Sequence, residues 1–211
     1  MRKLRQFNVK TLLVLSMAFL LCAVAGADTI YFSGALSDDD ELDLSVFTST
    51  VDYAFDPATM MLTITVNNDT LPPYTISELF FNVSDNVTGL TLVDNAGFSS
   101  ASLSANQKAD GFGTFDYLLD IVVPGNNGLA ADNSVTFILQ ASGSGLTVSD
   151  FFSHGTSRYE DAVASIKFTQ GPGGDSVYAL PTTPPIVPEP ATLTLLGAAF
   201  AGILVWRRSS K

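Results

Sequence analysis

The sequence is short of every residue that does nucleophilic, redox or metal chemistry through sulfur or imidazole. Of its 211 residues, one is cysteine, one tryptophan and one histidine. Cys22 lies in an apolar run near the N-terminus, so the segment beyond it has no disulfide, thiol nucleophile or thiolate metal site. Phe19-Leu20-Leu21 precede this cysteine, where a lipoprotein signal has a small residue, and this excludes lipid attachment there. His154 sits among Phe152-Ser153-His154-Gly155-Thr156, and no Gly-x-Ser-x-Gly elbow marks a serine as its partner. No catalytic residue is therefore assigned, and the chain is expected not to be an enzyme. One histidine without thiolates also falls short of the usual zinc ligand set.

Basic residues are scarce in the middle of the chain. Between Asp28 and Asp175 stand 20 acids against only Lys108, Arg158 and Lys167. Such a segment repels nucleic acid and anionic lipid surfaces, so no nucleic-acid partner is expected. It favours solubility or the binding of divalent cations. No cofactor is expected except calcium, which takes carboxylate and carbonyl oxygens. Its candidate ligands are Asp38, Asp39, Asp40, Glu41 and Asp43, although EF-hand spacing is missing and a run of acids also reads as a solvated loop.

What the middle lacks, the ends hold. Met1 to Lys10 is basic, Thr11 to Val24 is almost wholly apolar, and Ala25-Gly26-Ala27 supplies small residues. That order is a secretory signal peptide over 1–27, with signal peptidase cutting between Ala27 and Asp28. The far end runs Val187-Pro188-Glu189-Pro190, an apolar block from Ala191 to Trp206, then Arg207-Arg208-Ser209-Ser210-Lys211. The block is short beside the roughly 20 residues of a comfortable bilayer span. It reads as a single transmembrane sorting helix over 191–206, with a basic cytoplasmic tail over 207–211. Before it, 171–190 is rich in Gly and Pro, and Pro181, Pro184, Pro185, Pro188 and Pro190 keep it extended and non-helical.

This C-terminal order resembles the PEP-CTERM sorting signal of exosortase substrates. The resemblance rests on Val187, Pro188, Glu189 and Pro190, the apolar block, and Arg207 with Arg208. It implies recognition by a membrane-embedded exosortase and cleavage near Pro188-Glu189-Pro190. Release or transfer to the surface of an exopolysaccharide-producing, Gram-negative-type cell would follow. The stretches Phe55-Asp56-Pro57-Ala58-Thr59 and Asp110 to Tyr117 are similar to segments in the bodies of such proteins, which assigns no activity.

The body, 28–170, reads as strands and turns. Leu62, Ile64 and Val66 alternate with Thr63 and Thr65, and Val51 to Phe55 alternates likewise. Asp56-Pro57-Ala58-Thr59 between them predicts a hairpin. Further strands are expected at Thr29–Ser33, Ile76–Val83, Gly89–Val93, Phe115–Val123, Ser134–Ala141 and Ala164–Phe168. One helical turn is expected at Ser149–Phe152 or Tyr159–Ala164. Short strands separated by Gly, Asn, Pro and Asp predict an all-β, jelly-roll-like β-sandwich. The leading expectation is an exported surface or matrix protein with a structural or adhesive role in the exopolysaccharide layer. A carbohydrate-binding module, with Tyr31, Tyr53, Tyr74, Tyr117, Tyr159 or Tyr178 as stacking faces, is the alternative. A hydrolase acting on matrix polymer through His154 is the third reading.

Overall fold

The computed structural model describes residues 26–33, 47–94, 101–109, 112–121, 128–153, 162–169 and 176–181. Among the described residues ten strands run in chain order: β1 Gly26–Ser33, β2 Thr48–Asp56, β3 Met61–Asn68, β4 Thr75–Phe81, β5 Val87–Asp94, β6 Ser102–Ala109, β7 Gly113–Asp120, β8 Asn133–Gly143, β9 Ala164–Thr169 and β10 Val177–Ala179. A 3-10 helix, Val148–Phe151, precedes β9. The strands form two antiparallel five-stranded sheets, ordered β1-β2-β3-β8-β5 (the first sheet) and β10-β9-β4-β7-β6 (the second). As expected, the described chain is an all-β sandwich.

Period-two alternation decides which way each strand faces. In β2, Val51, Tyr53 and Phe55 are buried while Thr50, Asp52 and Ala54 point out. In β3, Leu62, Ile64 and Val66 are buried opposite them. The predicted hairpin forms with Asp56 facing Met61, and the Asp56 carboxylate closes its turn. That group accepts bonds from the Ala58 N–H at 2.9 Å and the Thr59 hydroxyl at 2.7 Å, which hold the carboxyl below its usual pKa range. Burying the inner faces against each other supplies the main driving force, at roughly 25 cal/mol per Å² of apolar surface removed from water.

Aromatic rings interlock across that interior. Phe47 lies 4.6 Å from Tyr74 and 5.0 Å from Phe168, Tyr53 meets Phe152 edge-on at 4.9 Å, and Phe55 meets Phe151 at 5.0 Å. A smaller cluster of Phe80, Ala109, Phe112, Phe115 and Ala162 covers part of the second sheet's far face. The chain passes from the first sheet to the second after β3, through a loop with a cis Pro72-Pro73 bond. Asn68 fixes that loop from inside, donating to the Leu129 carbonyl at 2.8 Å and accepting the Thr70 N–H at 3.1 Å. Leu129 and Ile76 exchange two backbone bonds beside it. Gly128 is glycine because a Cβ there would run into the Ile76 carbonyl oxygen.

Two strands escape the sequence reading. β6, Ser-Leu-Ser-Ala-Asn-Gln-Lys-Ala, has no apolar alternation, and its place comes from its pairing with β7 along the sheet edge. β10 has only three residues and exists by pairing with β9; it lies inside 171–190, expected as an extended linker, so the body runs past residue 170 to the Pro181 bridge. The helical turn falls at Val148–Phe151, overlapping the first of the two expected positions.

Candidate functional site

The two ends of the described chain meet on one edge of the sandwich. β1 is an edge strand of the first sheet, β10 an edge strand of the second, and Pro181 just beyond β10 bridges to Phe32. Ala27 and Asp28, the residues flanking the expected signal-peptidase cut, both lie in β1, opposite Ala54 and Tyr53. Asp28 points inward and is 8% exposed. Burial pushes its carboxyl above the usual range, and the Thr29 N–H bond at 2.8 Å only partly opposes this. The opposing Tyr53 phenol is fully buried, which raises its pKa well above the ordinary value.

The outward face of the first sheet is a lattice of hydroxyls, amides and one central carboxylate. Register aligns Tyr31, Thr50, Asn67 and Ser134 in one row, and Thr29, Asp52, Thr65 and Thr136 in the next. Asp52 accepts the Thr29 hydroxyl at 2.6 Å and the Asn67 amide at 3.0 Å, and Asn67 also reaches Thr50 at 2.9 Å. Thr65 and Thr136 share a hydrogen bond of 2.9 Å. A groove of about 440 Å³ runs between Thr50, Asn67, Asp69, Asp132, Asn133 and Ser134. Tyr31, 55% exposed, stands at the end of this row. None of the five strands of this sheet contains Lys or Arg.

The second sheet carries a row of different character: Tyr178, Lys167, Glu78 and Asp120 lie side by side across β10, β9, β4 and β7. Lys167 pairs with Glu78 at 2.8 Å, and its ammonium lies 5.7 Å from the Tyr178 ring centre. Burial opposes the lysine charge, but Glu78 and Tyr178 outweigh it and raise the pKa. Burial and the neighbouring Glu78 raise Asp120.

Sequence reasoning passed over the polar hubs that position the loops. Asn82 is buried, donates to the Ala162 carbonyl at 3.1 Å and accepts the Asp116 N–H at 3.0 Å. Asp150, 8% exposed, accepts from the Ser84 hydroxyl, the Asn86 amide, and both the N–H and the hydroxyl of Thr147. Burial raises its pKa, but these four bonds prevail and the carboxyl titrates below its usual range. The local signal was Thr147-Val148-Ser149-Asp150, a capping-box spacing.

Of the tyrosines proposed as stacking faces, Tyr53 and Tyr74 are buried in the core, Tyr117 and Tyr178 are half-buried, and Tyr31 is exposed. Tyr159, His154, the acidic residues Asp38, Asp39, Asp40, Glu41 and Asp43, and Ala25 lie outside the described residues, as do Val187 to Lys211. Among the described residues no three His, Cys, Asp or Glu side chains converge to hold a metal, and no helix is long and apolar enough to cross a membrane.

No curated protein and no solved structure matches the chain. Residues 187–209 match the family model described as the PEP-CTERM protein-sorting motif. Beginning six residues past the Pro181 bridge, the matched segment contains the Pro-Glu-Pro, the apolar block and the paired arginines in order. The described residues thus form an all-β sandwich, and the chain carries a PEP-CTERM sorting motif, which implies export along a membrane-associated route to the cell surface and address to an exosortase.

Proposed function

We propose that this protein is a non-enzymatic component of the extracellular polymer layer, with a structural or adhesive role after sorting. Signal peptidase removes residues 1–27 and the 191–206 segment holds the chain in the inner membrane. Exosortase then cuts near Pro188-Glu189-Pro190 and frees the body to the surface or matrix of a Gram-negative-type cell. The observation that carries this reading is the sorting motif, which follows within a few residues of Pro181, the residue that bridges back to Phe32 of the domain. An acidic surface keeps such a body soluble beside the cell. Fractionating the native host tests it: the protein is expected in the surface and medium fractions, and deleting its gene is expected to weaken cohesion of the polymer layer. Recovery from the cytoplasm alone, or an unchanged layer after deletion, overturns it.

The second reading, a carbohydrate-binding module, is favoured by the face that bears Tyr31. Hydroxyl and amide donors with carboxylate acceptors fit the hydroxyls of a neutral glycan, and an exposed ring offers a stacking surface. A cation-free sheet excludes direct capture of an acidic polymer. Titrating the mature protein with neutral polysaccharides is expected to show binding that Tyr31→Ala weakens about tenfold, equivalent to 1.4 kcal/mol. Unaltered affinity in a folded Tyr31→Ala protein rejects the assignment.

A further inference from the structure

Asp28 is an awkward residue to bury. Its Oδ1 accepts the Thr29 N–H, but its Oδ2 is buried without a hydrogen-bond partner. The Tyr53 hydroxyl, opposite it in the ladder, is also buried and unpartnered. No basic side chain stands anywhere in the strands of this sheet. A buried carboxylate with one open oxygen is destabilising unless a counter-charge faces it, and among the described residues the strands around Asp28 supply none.

The missing charge is supplied by the position of the cut. Resting on the reading of residues 1–27 as a signal peptide, we propose that the α-ammonium created on Asp28 by maturation is the counter-ion for that residue's own buried carboxylate, so that cleavage itself stabilises the sandwich. Hydrolysis of the Ala27–Asp28 bond consumes one water: the hydroxyl goes to the Ala27 carbonyl carbon and the hydrogen to the Asp28 nitrogen. The resulting amine, with an ordinary pKa of about 7.7–8.0, takes up a proton at neutral pH. Bond lengths alone keep this nitrogen within about 5 Å of both carboxylate oxygens, whatever rotamer the side chain adopts. An opposite charge at that range favours the ionised carboxylate, whereas the uncut amide offers none.

The other titratable groups on the packed elements do not compete. Asp52 faces outward into the Thr29 and Asn67 bonds, Asp56 closes the hairpin turn, and Asp150 of the 3-10 helix is held by Ser84, Asn86 and Thr147. Tyr53 stays neutral at physiological pH. Opposing the gain, the cut removes Gly26 and Ala27, which pair with Phe55 and Ala54, and Gly26 packs against Val148. A purely structural role for the segment therefore predicts the opposite sign.

The test compares chains that run to Lys211 in mild detergent, beginning at Asp28 with a free amine, at Asp28 with that amine acetylated, or at Gly26. The free-amine form is expected to melt about 4 °C or more above both others at pH 7, where each kcal/mol shifts a chain of this size by roughly 2–4 °C. Asp28→Asn is expected to close the gap between free and acetylated forms. If that variant does not fold, carboxyl NMR titration of Asp28 replaces it and is expected to show a lower pKa with the free amine. Equal melting of free and acetylated chains, or equal Asp28 titration, overturns the charge coupling. Intact mass of the exported protein tests the cut separately: a first residue other than Asp28 overturns the maturation role even if the coupling is measured in vitro.

Discussion

Replacing the motif by the combined changes Pro188→Ala, Glu189→Ala and Pro190→Ala is expected to leave the chain uncut and confined to the membrane fraction. Intact-mass measurement should then return a C-terminus at Lys211, where the unaltered protein returns one near the motif. The size of this effect follows from the arrangement of residues 187–209. The apolar block and the paired arginines are untouched by the substitutions, so insertion and orientation persist. What is lost is the proline-fixed, extended peptide outside the helix. Three alanines beside an apolar helix former allow the helix to extend upward into the cleavage region. An unchanged C-terminus in the substituted protein would show that the cut is read elsewhere.

Asp150→Ala should destabilise the folded body by about 2–4 kcal/mol, because four donors lose together an acceptor that is itself buried, although Asn86 and Thr147 face solvent. Thermal unfolding should fall by about 5–15 °C, on the scaling of roughly 2–4 °C per kcal/mol for a chain of this size. The pH dependence has a definite sign. Hydrogen bonds depress the Asp150 pKa in the folded state, so its contribution is fully present above the unfolded carboxyl value of about 3.9. It is lost as pH falls through the folded value. Melting curves of the two proteins should therefore stand apart at pH 7 and converge toward pH 2. Parallel curves over that range would show that the charge of Asp150 contributes nothing. Asp150→Asn, which keeps the shape and one acceptor, should sit between them.

These two expectations differ in how far they were legible in the sequence. The sorting motif is linear: its proline, apolar and basic parts follow one another and need no fold to be seen. The β2–β3 hairpin was equally open, since its alternation and Asp-Pro turn are local. Asp150 was not, because Ser84 and Asn86 lie 66 and 64 residues away and only the Thr147 cap is near. The face around Tyr31 was half legible. Alternating threonines marked an outward face, but the alignment of Tyr31 with Thr50, Asn67 and Ser134 depends on three pairings, of which only the β2–β3 hairpin is local. β6 was hidden because an edge strand gains its place from a partner and not from an apolar stripe.

The bridge between Phe32 and Pro181 also sets how the body bears load. A protein held through its C-terminus receives tension at Pro181, next to a strand of three residues that pairs only with β9. Pulling there strains the Phe32 bridge on β1 and the short β10–β9 ladder first, while the longer β2–β3 and β3–β8 ladders lie further from the point of load. Short edge strands belong to the low-stability end of a fold's local openings. Under shear the domain would therefore yield first at its attachment corner, lengthening the tether by a few residues before the core or the Tyr31 face is disturbed.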